Sequence, residues 1–440
     1  MYSRTNARPH ERQACRPGRT YLLRATSTSR YGIQAIDLSE ALAAILADTA
    51  PVTGSETVAT ADAVGRVAAR AVTAPVDLPP FPASAMDGYA VRAADLEGPA
   101  PHHLPVAGIS AAGHPYQGAM PALSAVRIFT GAALPDEADT VVIQEDCTPT
   151  GRQAVTINVP VTEGDNVRPA GHDVELGAVL VSAGDRISPF HASWLAACGV
   201  GHIEVKRRPK VAVFSTGDEL VTPGTALGPG QIYDANRQAL LLLLRELPIV
   251  LIDRGLVADD RSAIRDLLQG CAADADAIIT SGGVSVGDAD WVKQAVAEVG
   301  TLTLWKLNLK PGKPLAYGRA GKAHFFGLPG NPVSTIVTAL LVARPALLKL
   351  AGARPEPPLE IECILRTPIE HRPGREEFQR GLLTGAGAGL EVRVTGDQSS
   401  NRLSTFVAAN CLIRVPKNSN DLAEGSRVSV LPFGGLLSGY

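Results

Sequence analysis

Several kinds of protein are excluded by what this sequence has little of. Its six cysteines lie far apart without a CxxC pair, and its nine histidines include no HExxH, so neither a disulfide framework nor a zinc site is indicated. Apolar runs such as residues 239–244 are far shorter than the roughly 20 residues that cross a bilayer. A formal net charge of -3 gives no basic field for nucleic acid. We therefore expect a cytoplasmic protein with reduced thiols and neither a membrane nor a nucleic-acid partner.

What the chain does have is enough apolar sequence for several cores. Hydrophobic residues make up 45% of its 440 residues, and at roughly 100–200 residues per domain this length predicts two to four domains. Residues 1–33 differ from the rest, because they carry seven arginines and a single acidic residue, Glu11. They have no apolar segment and so are not a secretory signal. We interpret them as a disordered extension or an upstream start, with an Arg-rich transit peptide as the alternative.

The hydrophobic pattern divides the remaining chain into regions with different predicted secondary structure. A capped amphipathic helix is predicted from Asp37, and a helical pattern resumes at residues 57–72. Short β-like runs between glycines and prolines follow at 89–160. Strands alternate with helices after residue 207, which predicts an open, doubly wound α/β sheet. The short strands after residue 354 predict a small β-barrel or sandwich.

Polar clusters follow the predicted strands of the α/β region, at the positions where open sheets bind ligands. Gly282, Gly283 and Gly287 allow the backbone to approach a ligand closely, and the N-terminus of the following helix favours an anion. Carboxylates at strand ends suit Mg²⁺, which keeps substrate phosphates in its shell. The clusters occupy residues 215–219, 259–260, 280–290, 306–314 and 326–334.

Each cluster also has a plainer explanation. Acidic turns serve as helix caps or solvated charges, glycine-rich segments as connectors and lysine runs as solvated faces. Taken together, the clusters favour a crevice for a phosphorylated, strongly anionic ligand with magnesium. The glycine-rich segment matches neither GxxxxGK[ST] nor GxGxxG, so an ordinary ATPase or dehydrogenase is not indicated. The residues by themselves lead as far as phosphoryl or nucleotidyl chemistry.

Six short motifs occur along the chain in a distinctive order. They are Ser-Ala-Met-Asp-Gly-Tyr-Ala from Ser84, Arg-Ile-Phe-Thr-Gly-Ala-Ala-Leu-Pro from Arg127, Ser-Thr-Gly-Asp-Glu-Leu from Ser215, Ser-Gly-Gly-Val-Ser-Val-Gly-Asp from Ser281, Lys-Pro-Gly-Lys-Pro from Lys310 and Gly-Leu-Pro-Gly-Asn-Pro-Val-Ser from Gly327. Any one of them would be weak evidence. As an ordered set, covering about residues 36–435, they resemble the MoeA-type molybdopterin molybdenumtransferases and the E domain of gephyrin.

The resemblance implies a multidomain α/β protomer of four parts. These are an elongated α+β dimerisation domain from residues 36–75 and 165–206, a β-rich insert from 76–164, an α/β molybdopterin-binding domain from 207–354 and a C-terminal β-barrel from 355–440. The family is typically a homodimer whose active cleft is shared between subunits. Its reaction joins molybdate to adenylyl-molybdopterin, with Mg²⁺, and yields the molybdenum cofactor and AMP.

Carried over position by position, the resemblance assigns roles to individual residues. The expected catalytic residues are Asp87, Glu219, Asp259, Asp290, Lys306 and Lys310. Among them, the expected magnesium ligands are Glu219, Asp259 and Asp290. The expected substrate contacts are Thr130, Ser215, Thr216, Gly217, Ser281, Gly282, Gly283, Ser285, Gly287, Asp288, Lys313, Pro314, Asn331, Ser334, Arg375 and Ser400.

Two other functions share part of this pattern. A molybdopterin adenylyltransferase has the α/β module but is usually a lone domain, whereas this chain adds the region around Asp87 and a C-terminal barrel. A gephyrin-like scaffold carries a fused adenylyltransferase domain and a linker, for which this chain has no room. We therefore expect a molybdenumtransferase, with the adenylyltransferase and molybdoenzyme maturation proteins as candidate partners.

Overall fold

The computed structural model describes residues 34–151, 153–283 and 291–437. Buried apolar side chains form separate clusters in it. Two clusters flank a central sheet, and others fill an α+β region, a β-rich insert and a C-terminal barrel. The expected multidomain α/β class is thereby confirmed. Residues 1–33, predicted to be a disordered extension, lie outside the described residues.

The central sheet has seven strands. Across the sheet they follow the order Gln34–Ile36, Gly300–Leu307, Pro314–Ala320, Ala323–Leu328, Ala277–Ser281, Lys210–Thr216 and Val250–Val257. All run in one direction except Pro314–Ala320, which is antiparallel to both neighbours. The alternating pattern predicts parallel pairing throughout, but a turn at Gly321 with φ 57° joins this strand to the next. A turn this short permits only a hairpin, since parallel strands need a long crossover.

Helices cover both faces of the central sheet, as a doubly wound sheet requires. Neighbouring residues of Lys210–Thr216 face opposite ways, so that Val213 joins one core and Phe214 the other. The Val213 face carries Leu38–Asp48, Ala235–Leu244, Pro332–Thr338, the π-helical turn Ala339–Ala343 and Arg344–Leu350. The Phe214 face carries Arg261–Asp274 and Trp291–Val299.

One helix is long and apolar enough, by length and composition, to cross a membrane. It is Pro332–Leu350, found by a search of the described residues. In the structure 78% of its most apolar window is buried. It packs against the central sheet, which accounts for its apolar composition.

The segment that begins the described chain packs on the central sheet. Gln34–Ile36 is an edge strand parallel to Gly300–Leu307. The next helix, Leu38–Asp48, buries Ala41 and Ile45. Asp37, the N-cap residue of that helix, accepts a hydrogen bond of 2.8 Å from Asn308 Nδ2, which is 271 positions away in the sequence. Residues 36–75 are the first segment predicted for the elongated domain. The beginning of this segment packs within the α/β layer, because the strand and the side chain that it contacts come from residues 305–308.

Residues 57–72, predicted to be helical, contain no α-helix and instead combine strand residues, one 3₁₀ turn and irregular chain, so that prediction was wrong. Ser55–Ala59 pairs antiparallel with His202–Lys206. A partner strand that is distant in sequence satisfies these backbone groups and overrides the local apolar period. The elements that share this core are Ser55–Ala59, the 3₁₀ turn Thr60–Ala63, Val72–Thr73, Val179–Val181, Pro189–Ala197 and His202–Lys206.

The insert contains a six-stranded sheet, as its short β-like runs predict. Its strands follow the order Thr140–Ile143, Gly88–Val91, Ala125–Ile128, His102–Ser110, Ala154–Ile157 and Cys147–Pro149. The 3₁₀ turns of the insert are Ala93–Leu96 and Gln144–Asp146. Ala83–Ser84 also pairs with Val167–Arg168, which brings the two ends of the insert together.

The C-terminal region closes into a five-stranded barrel. Around the ring the strands are Glu376–Thr384, Glu391–Val394, Ile361–Leu365, Arg427–Pro432 and Cys411–Val415, and the last pairs again with the first. The short elements beside them are Gly387–Gly389, Ser404–Val407 and Phe433–Leu437. Leu309–Lys310, from the α/β region, pairs parallel with Glu376–Glu377 and so joins the barrel to the central domain.

Candidate functional site

A cleft of about 910 Å³ opens along the carboxyl ends of the central sheet. Loops that follow five strands of the central sheet form one wall, and the C-terminal barrel forms the other. Ligands of open α/β sheets bind at this edge. The short pair Leu220–Val221 and Ile232–Tyr233 frames one side. The predicted site residues that line the cleft are Thr216, Gly217, Glu219, Asp259, Ser281, Gly282, Gly283, Lys310, Lys313, Pro314, Asn331, Ser334, Arg375 and Ser400.

Other predicted site residues lie elsewhere. Asp87, Thr130, Ser215 and Lys306 are described by the structure but do not line the cleft. Ser285, Gly287, Asp288 and Asp290 lie outside the described residues.

Two carboxylates face the cleft without a basic partner among the described residues. The hydroxyl of Thr216 donates to Asp259 Oδ1 at 3.3 Å, and the N–H of Asp259 donates to Asp218 at 3.3 Å. Within the described part of the chain, neither Glu219 nor Asp259 forms a salt bridge. That part also contains no cluster of three metal-ligating side chains. The two carboxylates are therefore available to a cation that takes its remaining ligands from water or substrate.

The glycine-rich segment after Ala277–Ser281 is shaped by close packing. Gly282 and Gly283 both have positive φ, at 91° and 65°. A Cβ atom on Gly283 would lie 2.3 Å from a side-chain carbon of Val292 and 3.2 Å from one of Thr216. No side chain fits there, so the backbone itself forms this part of the cleft.

Asn236 ties two cleft loops together and escaped the sequence analysis. Its Nδ2 donates to the hydroxyl of Ser281 at 2.8 Å and to the carbonyl of Gly330 at 2.7 Å. The residue lies in the first turn of Ala235–Leu244, which begins at the cleft. An aspartate that caps this helix, Asp234, immediately precedes it in the sequence and is the local signal that could have located its start.

Ser215 lies behind the cleft surface and not in it. It is fully buried, and its hydroxyl donates to Asp234 Oδ1 at 3.2 Å. Arg237 also donates to Asp234, at 2.9 Å, and to Asp253, at 2.5 Å. Burial alone would lower the pKa of Arg237, but the bonds to Asp253 and Asp234 raise it above its ordinary value. This charged network holds the start of Ala235–Leu244 in place.

The two lysines of the Lys-Pro-Gly-Lys-Pro motif have different surroundings. Both line the cleft. Lys310 Nζ lies 2.9 Å from a carboxylate oxygen of Glu377, a buried residue of the barrel. Lys313 has no salt bridge to any residue that the structure describes. Lys313 is thus the less constrained positive charge, and Lys310 is held by the facing domain.

The barrel wall is bonded to the α/β wall through Ser400. Asn331 Nδ2 donates to the Ser400 hydroxyl at 2.9 Å, and the N–H of Val333 donates to the Ser400 carbonyl at 3.1 Å. Arg375 lines the same side. Neighbouring lining residues that the sequence analysis missed are Gln398, Ser399 and Asn401.

A buried arginine supports this barrel loop from behind. Arg380 is 1% exposed and donates to the carbonyls of Asp397 and Ser399, at 3.3 and 3.2 Å. Burial lowers the pKa of its guanidinium to about 10. Since arginine stays protonated at that value, a positive charge lies directly behind the loop that faces the cleft.

Asp87 and Thr130 form a separate polar unit on the insert. The backbone N–H and the hydroxyl of Thr130 both donate to Asp87 Oδ1, each at 2.7 Å. The backbone bond first and the hydroxyl second hold the pKa of Asp87 below its ordinary value. At Gly88 a Cβ would lie 2.0 Å from the carbonyl oxygen of Val142, so only glycine fits beside the aspartate. The carboxylate is therefore ionised, partly exposed and fixed in direction.

Comparison with known families agrees with this architecture. Residues 36–199 match the MoeA N-terminal region (domain I and II), 212–349 match a probable molybdopterin binding domain, and 362–433 match the MoeA C-terminal region (domain IV). A Haemophilus influenzae protein named molybdopterin molybdenumtransferase is 40% identical over 378 residues, which are 86% of this chain and 93% of that protein. The chain belongs to the molybdopterin molybdenumtransferase (MoeA) family.

Other relatives extend the same result. Molybdopterin molybdenumtransferase 2 of Mycobacterium tuberculosis is 34% identical over 384 residues, which are 85% of this chain and 94% of that protein. Among solved structures, a molybdopterin biosynthesis MoeA protein from Pyrococcus horikoshii superposes with a TM-score of 0.75 at 32% identity. That match covers 91% of this chain and 99% of the other. The MoeA membership therefore rests on sequence and on fold.

Proposed function

We propose that this chain is a molybdopterin molybdenumtransferase, which joins molybdate to adenylyl-molybdopterin and releases AMP. The observation that carries the proposal is the cleft, where carboxylates that have no basic partner among the described residues lie beside lysines and a glycine-rich turn. Such a site suits a strongly anionic substrate held together with a cation. The matches to the N-terminal and C-terminal MoeA regions favour this function over that of a lone adenylyltransferase domain.

The residues of the cleft fit a magnesium ion as the cation. Mg²⁺ is usually held by one or two carboxylates and completes its shell with water and substrate phosphates. Glu219 and Asp259 would supply the protein ligands, and Asp290, proposed from the resemblance, lies outside the described residues. When bound, the ion neutralises charge on the phosphate anhydride of the substrate.

The basic and hydroxyl groups bind and orient the anionic substrates. Lys313 and Arg375 bring positive charge to opposite walls of the cleft. Lys310 is directed by its carboxylate partner, and Ser400 is held in place by Asn331. Positioned charges stabilise the negative charge that develops as the anhydride breaks, without reorganising during the reaction.

The proposal is tested by following AMP. The purified protein is incubated with adenylyl-molybdopterin, molybdate and Mg²⁺, and AMP is measured by chromatography. We expect AMP release that depends on molybdate, together with reactivation of an apo-molybdoenzyme by the product. Formation of adenylyl-molybdopterin from ATP would instead identify an adenylyltransferase. If neither reaction occurs, the proposed function is wrong.

We also propose that the protein is a homodimer whose clefts are completed by Asp87 of the opposite subunit. Asp87 is partly exposed, ionised and rigidly held, but it does not line the cleft of its own chain. Mixing inactive Asp87→Ala and Asp259→Ala protomers tests this. If subunits exchange at random, about a quarter of wild-type activity should return, since half of the dimers carry one intact site of two. No return of activity with proven exchange would show that Asp87 does not serve the partner.

The expected compartment and partners remain proposals. The cysteines of the described chain are all unpaired and buried, which is compatible with a reducing cytoplasm. The adenylyltransferase that makes the substrate and the maturation proteins that take up the product are the candidate partners.

A further inference from the structure

The C-terminal barrel buries a carboxylate directly beneath the cleft. Glu377 is 2% exposed and lies on Glu376–Thr384, the strand that Leu309–Lys310 joins. Its Oε1 accepts from Gln379 Nε2 at 2.9 Å and contacts Lys310 Nζ at 2.9 Å. Its Oε2 contacts His371 Nδ1 at 3.1 Å. Both oxygens are therefore occupied, and the side chain cannot rotate without losing bonds.

Lys310 supplies the balancing charge for this carboxylate. A buried ionised carboxylate is costly unless it is paired and hydrogen-bonded. His371 Nδ1 is the further hydrogen-bond partner of the carboxylate, and its Nε2 is buried without a hydrogen-bond partner among the described residues. Among the described lysines and arginines, Lys310 is the one in salt-bridge contact with Glu377, and the buried Arg380 interacts with the carboxylate electrostatically without contacting it.

The lysine in turn depends on the barrel for its position. Its side chain is 46% exposed and extends along the cleft, where a long flexible chain would otherwise sample many rotamers. The bond to Glu377 selects one direction for the ammonium group. The carboxylate belongs to a different domain from the loop that carries Lys310, so docking of the barrel determines where this charge lies.

We infer that Glu377 is a positioning residue, which acts on the reaction by holding Lys310 in the cleft. The inference rests on the proposed function, in which Lys310 stabilises charge on the substrate. It predicts a particular separation of effects. Removing the negative charge of Glu377 should disorder the Lys310 side chain and slow turnover. It should not weaken binding of an anion in the cleft, because the carboxylate that is removed would itself repel an anion.

The test is a double-mutant cycle in the AMP-release assay. Glu377→Gln should lower kcat by about tenfold, with binding of inorganic molybdate, measured by calorimetry, equal to wild type or tighter. Lys310→Ala should lower kcat at least as much. The double variant should be no slower than Lys310→Ala alone, because Glu377 acts only through the lysine. A purely structural role would make the two losses multiply, and that result would overturn the inference.

Control variants distinguish misfolding of the Glu377 variants, failure of the positioning role and failure of the proposed function. Glu362→Gln, an exposed carboxylate on the same barrel, should keep full activity. If Glu377→Gln does not fold, Glu377→Asp keeps the charge but shortens the reach, and it should fold and lose several-fold in kcat. Full activity of a folded Glu377 variant would exclude the positioning role. Absence of molybdate-dependent AMP release in the wild type would instead refute the proposed function.

Discussion

The two ends of the central sheet carry charged side chains in contrasting surroundings. At the carboxyl ends, Glu219 and Asp259 face the cleft with no basic partner in the described chain. At the opposite end, Asp276 accepts bonds of 2.9 and 3.0 Å from Arg207. Burial would raise the pKa of Asp276, but these bonds and the N–H of Lys210 hold it below its ordinary value. One end stabilises the fold, and the other leaves charge free for a ligand.

The contrast extends to the neutral groups of the opposite end. The Tyr317 hydroxyl donates to Asp48 at 2.7 Å and contacts His324 Nδ1 at 2.9 Å. Burial keeps His324 neutral by lowering its pKa to about 4. In the cleft, by contrast, Glu219, Asp259 and Lys313 have no salt bridge within the described residues. Sites that bind ligands commonly give up some stability in this way, and substitutions at the two ends should therefore have opposite effects.

The largest effect is expected from Asp259→Asn. Loss of a charge-stabilising group in a preorganised site commonly lowers turnover by about 10²-fold or more. Stability should hardly change, because no salt bridge is lost. AMP release and thermal unfolding measure the two quantities. Asp276→Asn is the matched control at the opposite end, and it should lower the unfolding temperature while turnover is kept. If both variants lose activity equally, the two ends do not differ in function.

The second effect is a pH dependence of the free energy of unfolding that His324 should cause. Its folded pKa, about 4, lies below the unfolded value, so between about pH 6.5 and 4 only the unfolded chain binds the proton. The free energy of unfolding should therefore fall as pH falls through this window, by about 1.4 kcal/mol for each pH unit from this group. Urea unfolding across this range would measure the slope. His324→Asn should remove that contribution, and an unchanged slope would mean that His324 is not buried as a neutral ring.

A smaller effect is expected from Lys313→Ala at the cleft. The molybdate concentration for half-maximal rate should rise about tenfold, because one unpaired cation is removed from an anion site. Binding of the pterin nucleotide should be kept. Lys322→Ala, in the exposed turn at the opposite end, is the matched control and should change neither value. Collapse of nucleotide binding with an unaltered molybdate dependence would reverse the assigned roles.

The smallest effect is expected from Tyr317→Phe. The change removes the bonds from the hydroxyl to Asp48 and His324 without leaving a large cavity. Unfolding free energy should fall by about 1–2 kcal/mol, which is typical of lost buried hydrogen bonds. Denaturant unfolding measures it, and AMP release should be unchanged. A loss of activity would connect this end of the sheet to the cleft.

Much of the cleft could be predicted from the sequence, because its residues sit in short loops directly after apolar strands. Thr216, Gly283 and Asp259 were expected on that basis and line the cleft. Asn236 was missed, since an asparagine inside a helix pattern has no signal of its own. Asp87 was expected near the reaction, and the structure describes it on the insert, outside the cleft of its own chain.

The sequence by itself determined which segments carry the chemistry and the class of fold, because the apolar periods of strands and helices and the glycine and lysine motifs are local properties. Only the tertiary structure decided which distant segments meet. The edge strand Gln34–Ile36, the pairing of Ser55–Ala59 with His202–Lys206 and the bond from Lys310 to Glu377 all join distant positions. Backbone hydrogen bonds between strands form with almost any side chains. Strand partners are therefore selected by the packing of side chains and by the closure of sheets and barrels, which a short stretch of sequence does not encode.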